Sequence, residues 1–221
     1  MDKEKMLELA YTYNDPEAFE GLGDWYYSKC LKTGINYKKA FQFFLQACKA
    51  GTKPGVIISL VMEKYDESVK RDVDAKEGYR HLLDYLMEQE WPDAYIFAGD
   101  EYLGYEDVYE HDTEKGIACY EKAIELGEGY GYDCLGEAFF TGTVGKVDYK
   151  KAFEYFTATD EVHSDGKYYY LGEMYFHGYY VEKDWSKAKE YYEGLLRNEL
   201  YKDSNSMYVP KAKKRLLEME E

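Results

Sequence analysis

The sequence predicts an all-α protein, a solenoid of helix pairs, and three observations carry that prediction. A small or apolar pair recurs at near-constant distance: Leu22-Gly23, Val61-Met62, Ala98-Gly99, Leu135-Gly136 and Leu171-Gly172, in steps of 39, 37, 37 and 36 residues. A second marker, a residue suited to starting a helix, keeps the same period at Asn36, Asp74, Asp112, Asp148 and Asp184, in steps of 38, 38, 36 and 36. Between the markers, apolar residues fall at i, i+1 and i+4, the spacing of one helical face, and only four prolines interrupt the chain. Self-similarity at this period is the signature of helix–turn–helix units that bury their apolar faces against one another.

Residues 3–13 read as a first helix with Met6, Leu7, Leu9 and Ala10 on its apolar side. Asn14-Asp15-Pro16 ends it and starts the next, with Asp15 as N-cap and Pro16 at the first helical position, where a missing N–H is harmless. The first repeat, about 16–51, carries Ala18, Leu22-Gly23 and Tyr26 on helix A, then Lys39-Ala40, Phe44 and Ala47 on helix B, with Gly51 as its stop. The second, about 54–90, is degenerate: Val61-Met62 and Tyr65 take the marker positions, and Asp74 precedes Glu77-Gly78, Leu82 and Leu83. Met62 stands where the other repeats have a small residue, so this junction is expected to be wider or differently angled.

The third repeat, about 92–127, has Ala98-Gly99 and Tyr102, then Asp112, Lys115-Gly116, Tyr120 and Lys122-Ala123, stopping at Gly127. The fourth, about 129–160, has Leu135-Gly136 and Phe139, then Asp148, Lys151-Ala152 and Phe156. The fifth, about 165–197, is the cleanest copy and contains GKYYYLGEMYFHGYYVEKDWSKAKEYYEGLL. A charged final helix, about 206–220, has the character of a capping element. Residues 1–221 thus read as a single domain of five helix pairs between capping helices, about twelve helices in all.

The recurring residue types have physical reasons. Asn and Asp at the start of helix B can each satisfy an orphan amide, worth roughly 1 kcal/mol. The small residue four positions later (Ala40, Gly78, Gly116, Ala152 or Ala188) leaves room for another helix, as do Gly23, Gly99, Gly136 and Gly172 on helix A. Glycine in a helix interior costs roughly 1 kcal/mol against alanine, so its recurrence implies close packing that offsets the cost.

Composition limits the function. The chain carries 44 acidic and 28 basic residues, a formal net charge of −16, which repels a phosphate backbone and favours basic proteins or peptides over nucleic acid. No apolar run approaches the roughly 18 residues that cross a bilayer, so no membrane partner is expected. The N-terminal MDKEKMLELAYTYND has charges where a signal peptide needs an apolar core, which points to the cytoplasm. Cys30, Cys48, Cys119 and Cys134 match no zinc spacing and read as reduced packing residues, although Cys119 and Cys134 fall on successive helices. His81, His111, His163 and His177 form no HExxH, and there is no P-loop or G-x-G-x-x-G; Gly21 to Asp24 lies mid-helix by the repeat register. No catalytic residue, metal site or cofactor is therefore expected, and His177 reads as a solvated surface histidine.

LGEMYFHG with DWSKAKEYY, and TVGKVDYKKAFEYF one repeat earlier, resemble the Sel1-like repeat family, a relative of the tetratricopeptide repeat. The resemblance covers about residues 16–197; repeats one, four and five match well, three fairly and two weakly. It implies a right-handed α-solenoid superhelix that holds other proteins together, with no chemistry common to the class. The secreted branch with a disulfide in each repeat has a cysteine pattern that this chain lacks.

One signal stands above the fold. The residue after each marker pair is acidic in every repeat: Asp24, Glu63, Asp100, Glu137 and Glu173. It lies about 100° from the glycine around helix A, beside the packed face. In tetratricopeptide folds the equivalent position points into the concave groove, so the resemblance implies a ladder of carboxylates along one surface. With stacked helices roughly 10 Å apart, neighbouring charges repel by about 0.4 kcal/mol in water, which is tolerable without any function. Two readings stay open: acids that solvate an exposed face, or an acidic groove for a basic peptide or protein. Three residues further along helix A stand Tyr27, Asp66, Leu103, Phe140 and Phe176, so Tyr27, Phe140 and Phe176 either flank such a groove or pack against the next repeat. The function expected is that of a non-enzymatic scaffold or adaptor, monomeric or weakly dimeric. The alternatives are an acidic cognate inhibitor or immunity-type protein of a basic toxin or enzyme and, more remotely, a hydrolase using paired carboxylates.

Overall fold

In the computed structural model, which describes residues 1–33, 37–57, 73–104, 108–158, 164–198 and 206–220, every regular element among the described residues is an α-helix. Two compact units are formed, Met1–Gly116 and Ile117–Glu221. The first contains α1 (Lys3–Tyr13), α2 (Pro16–Thr33), α3 (Tyr37–Ala50), α4 (Val73–Glu88) and α5 (Pro92–Tyr102), and the start of α6 (Thr113–Glu125). The second continues α6 and adds α7 (Tyr130–Thr141), α8 (Tyr149–Phe156), α9 (Asp165–His177), α10 (Trp185–Arg197) and α11 (Tyr208–Glu218). No helix among the described residues is long and apolar enough to cross a membrane. Asn36, Val61, Met62, Glu63, Tyr65, Asp66 and the Cys30 side chain lie outside the described residues, and with them the expected wide second junction.

Within each unit the packing runs mainly between helices that are neighbours in sequence, the serial manner of a solenoid. In the first unit α1 meets α2, α2 meets α3, α3 meets α4 and α4 meets α5. In the second, α7 pairs with α8 and α9 with α10, α9 also lies on α7, and α11 rests on both α9 and α10. The periodic residues form the cores: Leu22, Ala40, Phe44, Ala47, Leu82 and Leu83 in one unit, and Leu135, Ala152, Phe156, Leu171, Ala188 and Tyr192 in the other, are all buried.

The helix-A glycines admit a ring rather than a backbone. A Cβ on Gly23 would stand 2.4 Å from the Phe44 ring, on Gly136 2.5 Å from Phe156, and on Gly172 2.4 Å from Tyr192. In each case the ring belongs to helix B of the same repeat, so the glycine sets the spacing within a helix pair. The helix-A aromatic four residues after the Leu has its own partners. Tyr26 stacks on Phe43, Phe139 on Tyr155 and Tyr175 on Tyr191, with centroids 5.2, 5.7 and 5.7 Å apart. In these three repeats the Lys that precedes the helix-B Ala caps the same ring: Lys39, Lys151 and Lys187 lie 5.5, 4.7 and 5.0 Å from the three centroids. A cation over an aromatic face is what the lysine of this pattern supplies.

Helix starts follow the expected chemistry with one correction. Asp15 accepts from the Ala18 N–H at 3.0 Å, and Asp112, Asp148 and Asp184 accept from the amide three residues on at 3.0, 3.0 and 3.1 Å. Each of the last three also donates its own N–H, at 2.9 Å, to Tyr102, Phe139 or Tyr175 near the end of the preceding helix A. One aspartate thus starts helix B and ties it to helix A. Asp74 is not a cap: α4 begins at Val73, so Asp74 sits in its first turn, where a negative charge favours the helix dipole instead.

Candidate interaction site

Gly172 and Glu173 are adjacent on α9, and the first makes the second possible. Because Gly172 lacks a Cβ, the Tyr192 ring of α10 slides beneath α9, and its hydroxyl donates to Glu173 Oε1 at 2.6 Å. From the other side Arg215 of α11 grips the same carboxylate, Nε donating to Oε1 at 2.7 Å and Nη2 to Oε2 at 2.9 Å. This is the bidentate, charge-assisted geometry in which guanidinium binds carboxylate best. The remaining Nη1 donates to Glu218 Oε2 at 2.7 Å.

Arg215 also lies over an aromatic platform. Its guanidinium carbon is 5.0 Å from the Phe176 centroid, and Phe176 stacks on Trp185 at 5.5 Å with the planes 2° apart. Lys183 covers the indole at 5.0 Å. His177 Nε2 stands 3.3 Å from Arg215 Nη2 and 3.5 Å from Glu173 Oε2, with its ring stacked on Tyr179.

Electrostatics follow from these contacts. Glu173 is only 7 % exposed, and burial pushes its carboxyl up. The bonds from Arg215 and Tyr192, with the charges of Arg215 and His177, outweigh that and hold it below the usual carboxylate range. The bond to Glu173 in turn raises Arg215. Burial and the Glu173 bond push the Tyr192 hydroxyl far above its ordinary value, so it stays a donor.

One repeat earlier, Glu137 on α7 meets the same helix. Its Oε1 accepts from the hydroxyl of Tyr170 on α9 and from that of Tyr208 on α11, both at 2.9 Å. Burial, reinforced by the Glu137 charge, raises the Tyr170 hydroxyl above the normal tyrosine range. Phe140 lies in the adjoining aromatic cluster, 4.7 Å from Tyr170 and 5.2 Å from Tyr149.

The structure therefore gathers Glu137, Glu173 and Phe176 of the expected site on the face that α11 crosses, with Phe140 at its edge. Asp24 and Asp100 belong to the first unit, on α2 and α5, where both are half-buried. Tyr27 is corrected: at 5 % exposure, 5.8 Å from the Tyr37 ring, it is a core residue and flanks no groove. Glu173 is corrected from an open carboxylate to an internally paired one, while His177 is exposed, as expected of a surface histidine, and stands at the rim of the ion pair. Sequence reasoning missed Tyr192, Tyr208 and Arg215. Tyr192 stands where repeats one and four carry Phe44 and Phe156, and that added hydroxyl was the available signal.

A cavity of about 460 Å³ in this unit is lined by Tyr175, Val181, Glu182, Lys183, Asp184 and Lys187, with neither Glu137 nor Glu173 in its wall. Among the described residues no three His, Cys, Asp or Glu side chains converge as a metal site. Cys48, Cys119 and Cys134 are thiols rather than disulfide halves.

A family model described as the Sel1 repeat matches residues 21–52, 92–128, 135–158 and 168–193, passing over the degenerate second repeat. A Sel1 repeat protein of Oxalobacter formigenes, known from its crystal structure, is 20 % identical over 99 % of this chain and 100 % of its own, with a TM-score of 0.59. A Sel1 repeat protein from Klebsiella pneumoniae subsp. pneumoniae is 17 % identical over 100 % of both chains, with a TM-score of 0.50. At such identities the likeness is one of fold. No curated protein matches the chain.

Proposed function

Because the chain belongs to the Sel1 repeat family, a fold of protein–protein interaction, we propose that it is a scaffold that binds a basic segment of another protein across the acidic, aromatic-flanked face of its repeats. The observation that supports this is the Arg215 contact: a guanidinium held in a bidentate grip by Glu173 and lying over Phe176. Glu173 is the acid of the repeat pattern and Phe176 the aromatic three residues on, so the chain itself carries the recognition chemistry this face would use. The net charge of −16 adds long-range attraction for basic partners and opposes nucleic acid. A cytoplasmic scaffold, monomeric or weakly dimeric, is the form this reading takes.

The cognate-inhibitor alternative uses the same surface and rests on net charge alone. Carboxylate hydrolysis is disfavoured on physical grounds. A general acid needs a raised pKa, whereas Glu173 is held low by Arg215 and Tyr192.

The test is affinity capture from the source cell with the full chain and with Glu137→Gln/Glu173→Gln, each checked for folding by circular dichroism. Salt-sensitive capture of a partner that the double variant loses is the expected result. Equal capture by a folded double variant ends the proposal.

A further inference from the structure

The helix α11 meets the repeats through one line of side chains, Tyr208, Ala212 and Arg215, at i, i+4 and i+7. Tyr208 and Ala212 are buried, and Arg215 is 25 % exposed. The shortest polar contacts end on the acids of the repeat pattern, Tyr208 on Glu137 and Arg215 on Glu173, while the Tyr208 hydroxyl also stands 3.3 Å from that of Tyr170, Arg215 Nη2 3.3 Å from His177 Nε2 and Lys211 lies 5.6 Å from the Tyr169 centroid. Seven residues of α-helix rise about 10.5 Å and return to within about 20° of the same line. Neighbouring helices pack about 8–10 Å apart. A helix with polar side chains two turns apart is therefore in register with acids one repeat apart, and Ala212 between them lets the backbones approach.

The attachment is also weakly apolar. Among the residues of α11 only Tyr208 and Ala212 are buried, and Leu217 is exposed. Four basic residues and one acidic residue give this helix a charge of +3 in a chain of −16. Charge-assisted hydrogen bonds hold it, and an incoming helix of the same chemistry can replace them one for one.

We propose that α11 is a displaceable resident of this face, and that the partner is a basic α-helix presenting Tyr-x-x-x-Ala-x-x-Arg in the same register. This rests on the acidic face being the binding surface and names what binds there. The resident helix lowers the affinity of a free competitor, because a tethered ligand acts at high effective concentration and only the open fraction is competent.

A fluorescent peptide of residues 206–220, SMYVPKAKKRLLEME, is titrated into the full-length chain and into its Arg215→Glu variant. Glutamate at 215 repels Glu173 and frees the face, so the variant should bind the peptide at least about tenfold more tightly than the wild type. Adding Glu173→Gln to the variant should remove that gain, and a peptide with its arginine changed to glutamate should bind neither chain. Equal affinity for the two chains overturns the proposal. So does loss of the repeats' own helicity in Arg215→Glu, since α11 would then be part of the fold and not a resident. If the peptide fails while a natural partner still requires Glu137 and Glu173, displacement is wrong and the acidic face retains its role.

Discussion

A single carboxylate, Glu173, illustrates how much one residue depends on its neighbours. It is nearly buried and accepts from Tyr192 and twice from Arg215. Removing one partner of such a pair leaves a buried charge uncompensated, which costs more than the pair contributes. Arg215→Ala is expected to weaken the docking of α11 on the second unit by about 3 kcal/mol, and Tyr192→Phe to destabilise that unit by about 1 kcal/mol, measured by urea unfolding. A Glu173→Gln/Arg215→Ala chain should recover part of the Arg215→Ala loss, because no unpaired charge remains. Glycine positions separate by cause in the same assay. Gly172→Ala drives a methyl into the Tyr192 ring and should cost about 2–3 kcal/mol. Gly127 has a φ of +94° with nothing within 4 Å of its Cβ position, so Gly127→Ala carries only left-handed strain, about 1 kcal/mol. Comparable losses at the two sites would refute the ring-under-helix account.

At the scale of elements, α11 should respond to acid. The Glu173 carboxyl titrates lower in the folded chain than in the unfolded one. Its contribution is therefore complete above the unfolded value of about 4.3 and is lost as pH falls through the lower folded value. The helix should stay docked down to about pH 4 and loosen below it. Trp185, stacked on the Phe176 that Arg215 covers, offers a fluorescence reporter. Arg215→Ala should abolish this acid transition in the reporter; an unchanged transition would assign it to other carboxylates. The caps act locally by comparison: Asp148 ties α8 to the end of α7 through its side chain and its N–H alike. Asp148→Ala loses the side-chain bond and keeps the backbone one, so the expected loss is about 1 kcal/mol by urea unfolding.

For the whole molecule, 44 acidic residues against 28 basic ones mean self-repulsion. Raising ionic strength from about 0.1 to about 1 M shortens the screening length from about 10 to about 3 Å. The melting temperature should therefore rise with salt, while the Trp185 reporter of α11 changes little, because the Glu173–Arg215 pair is shielded from solvent. A melting temperature that falls with salt would mean that surface ion pairs outweigh repulsion.

By itself the sequence determined the repeat register, the helix pairs and most of the core. A period of 36 to 39 residues, capping aspartates and helical spacing are local signals, each written several times over. They place α1 at Lys3–Tyr13 and show which Leu, Ala and Phe turn inward. Asp74 departs from its pattern because it lies inside the first turn of α4 instead of just ahead of the helix. The row of acids was equally legible as a row, but what its members do was not. Glu173 and Arg215 are 42 residues apart, and Glu137 and Tyr208 are 71 apart. No periodic signal links them, since the pairing arises when a helix outside the repeats docks across two of them. Only tertiary structure could decide that these carboxylates already hold a tyrosine and an arginine, because a docking register is set by packed shape and not by local propensity.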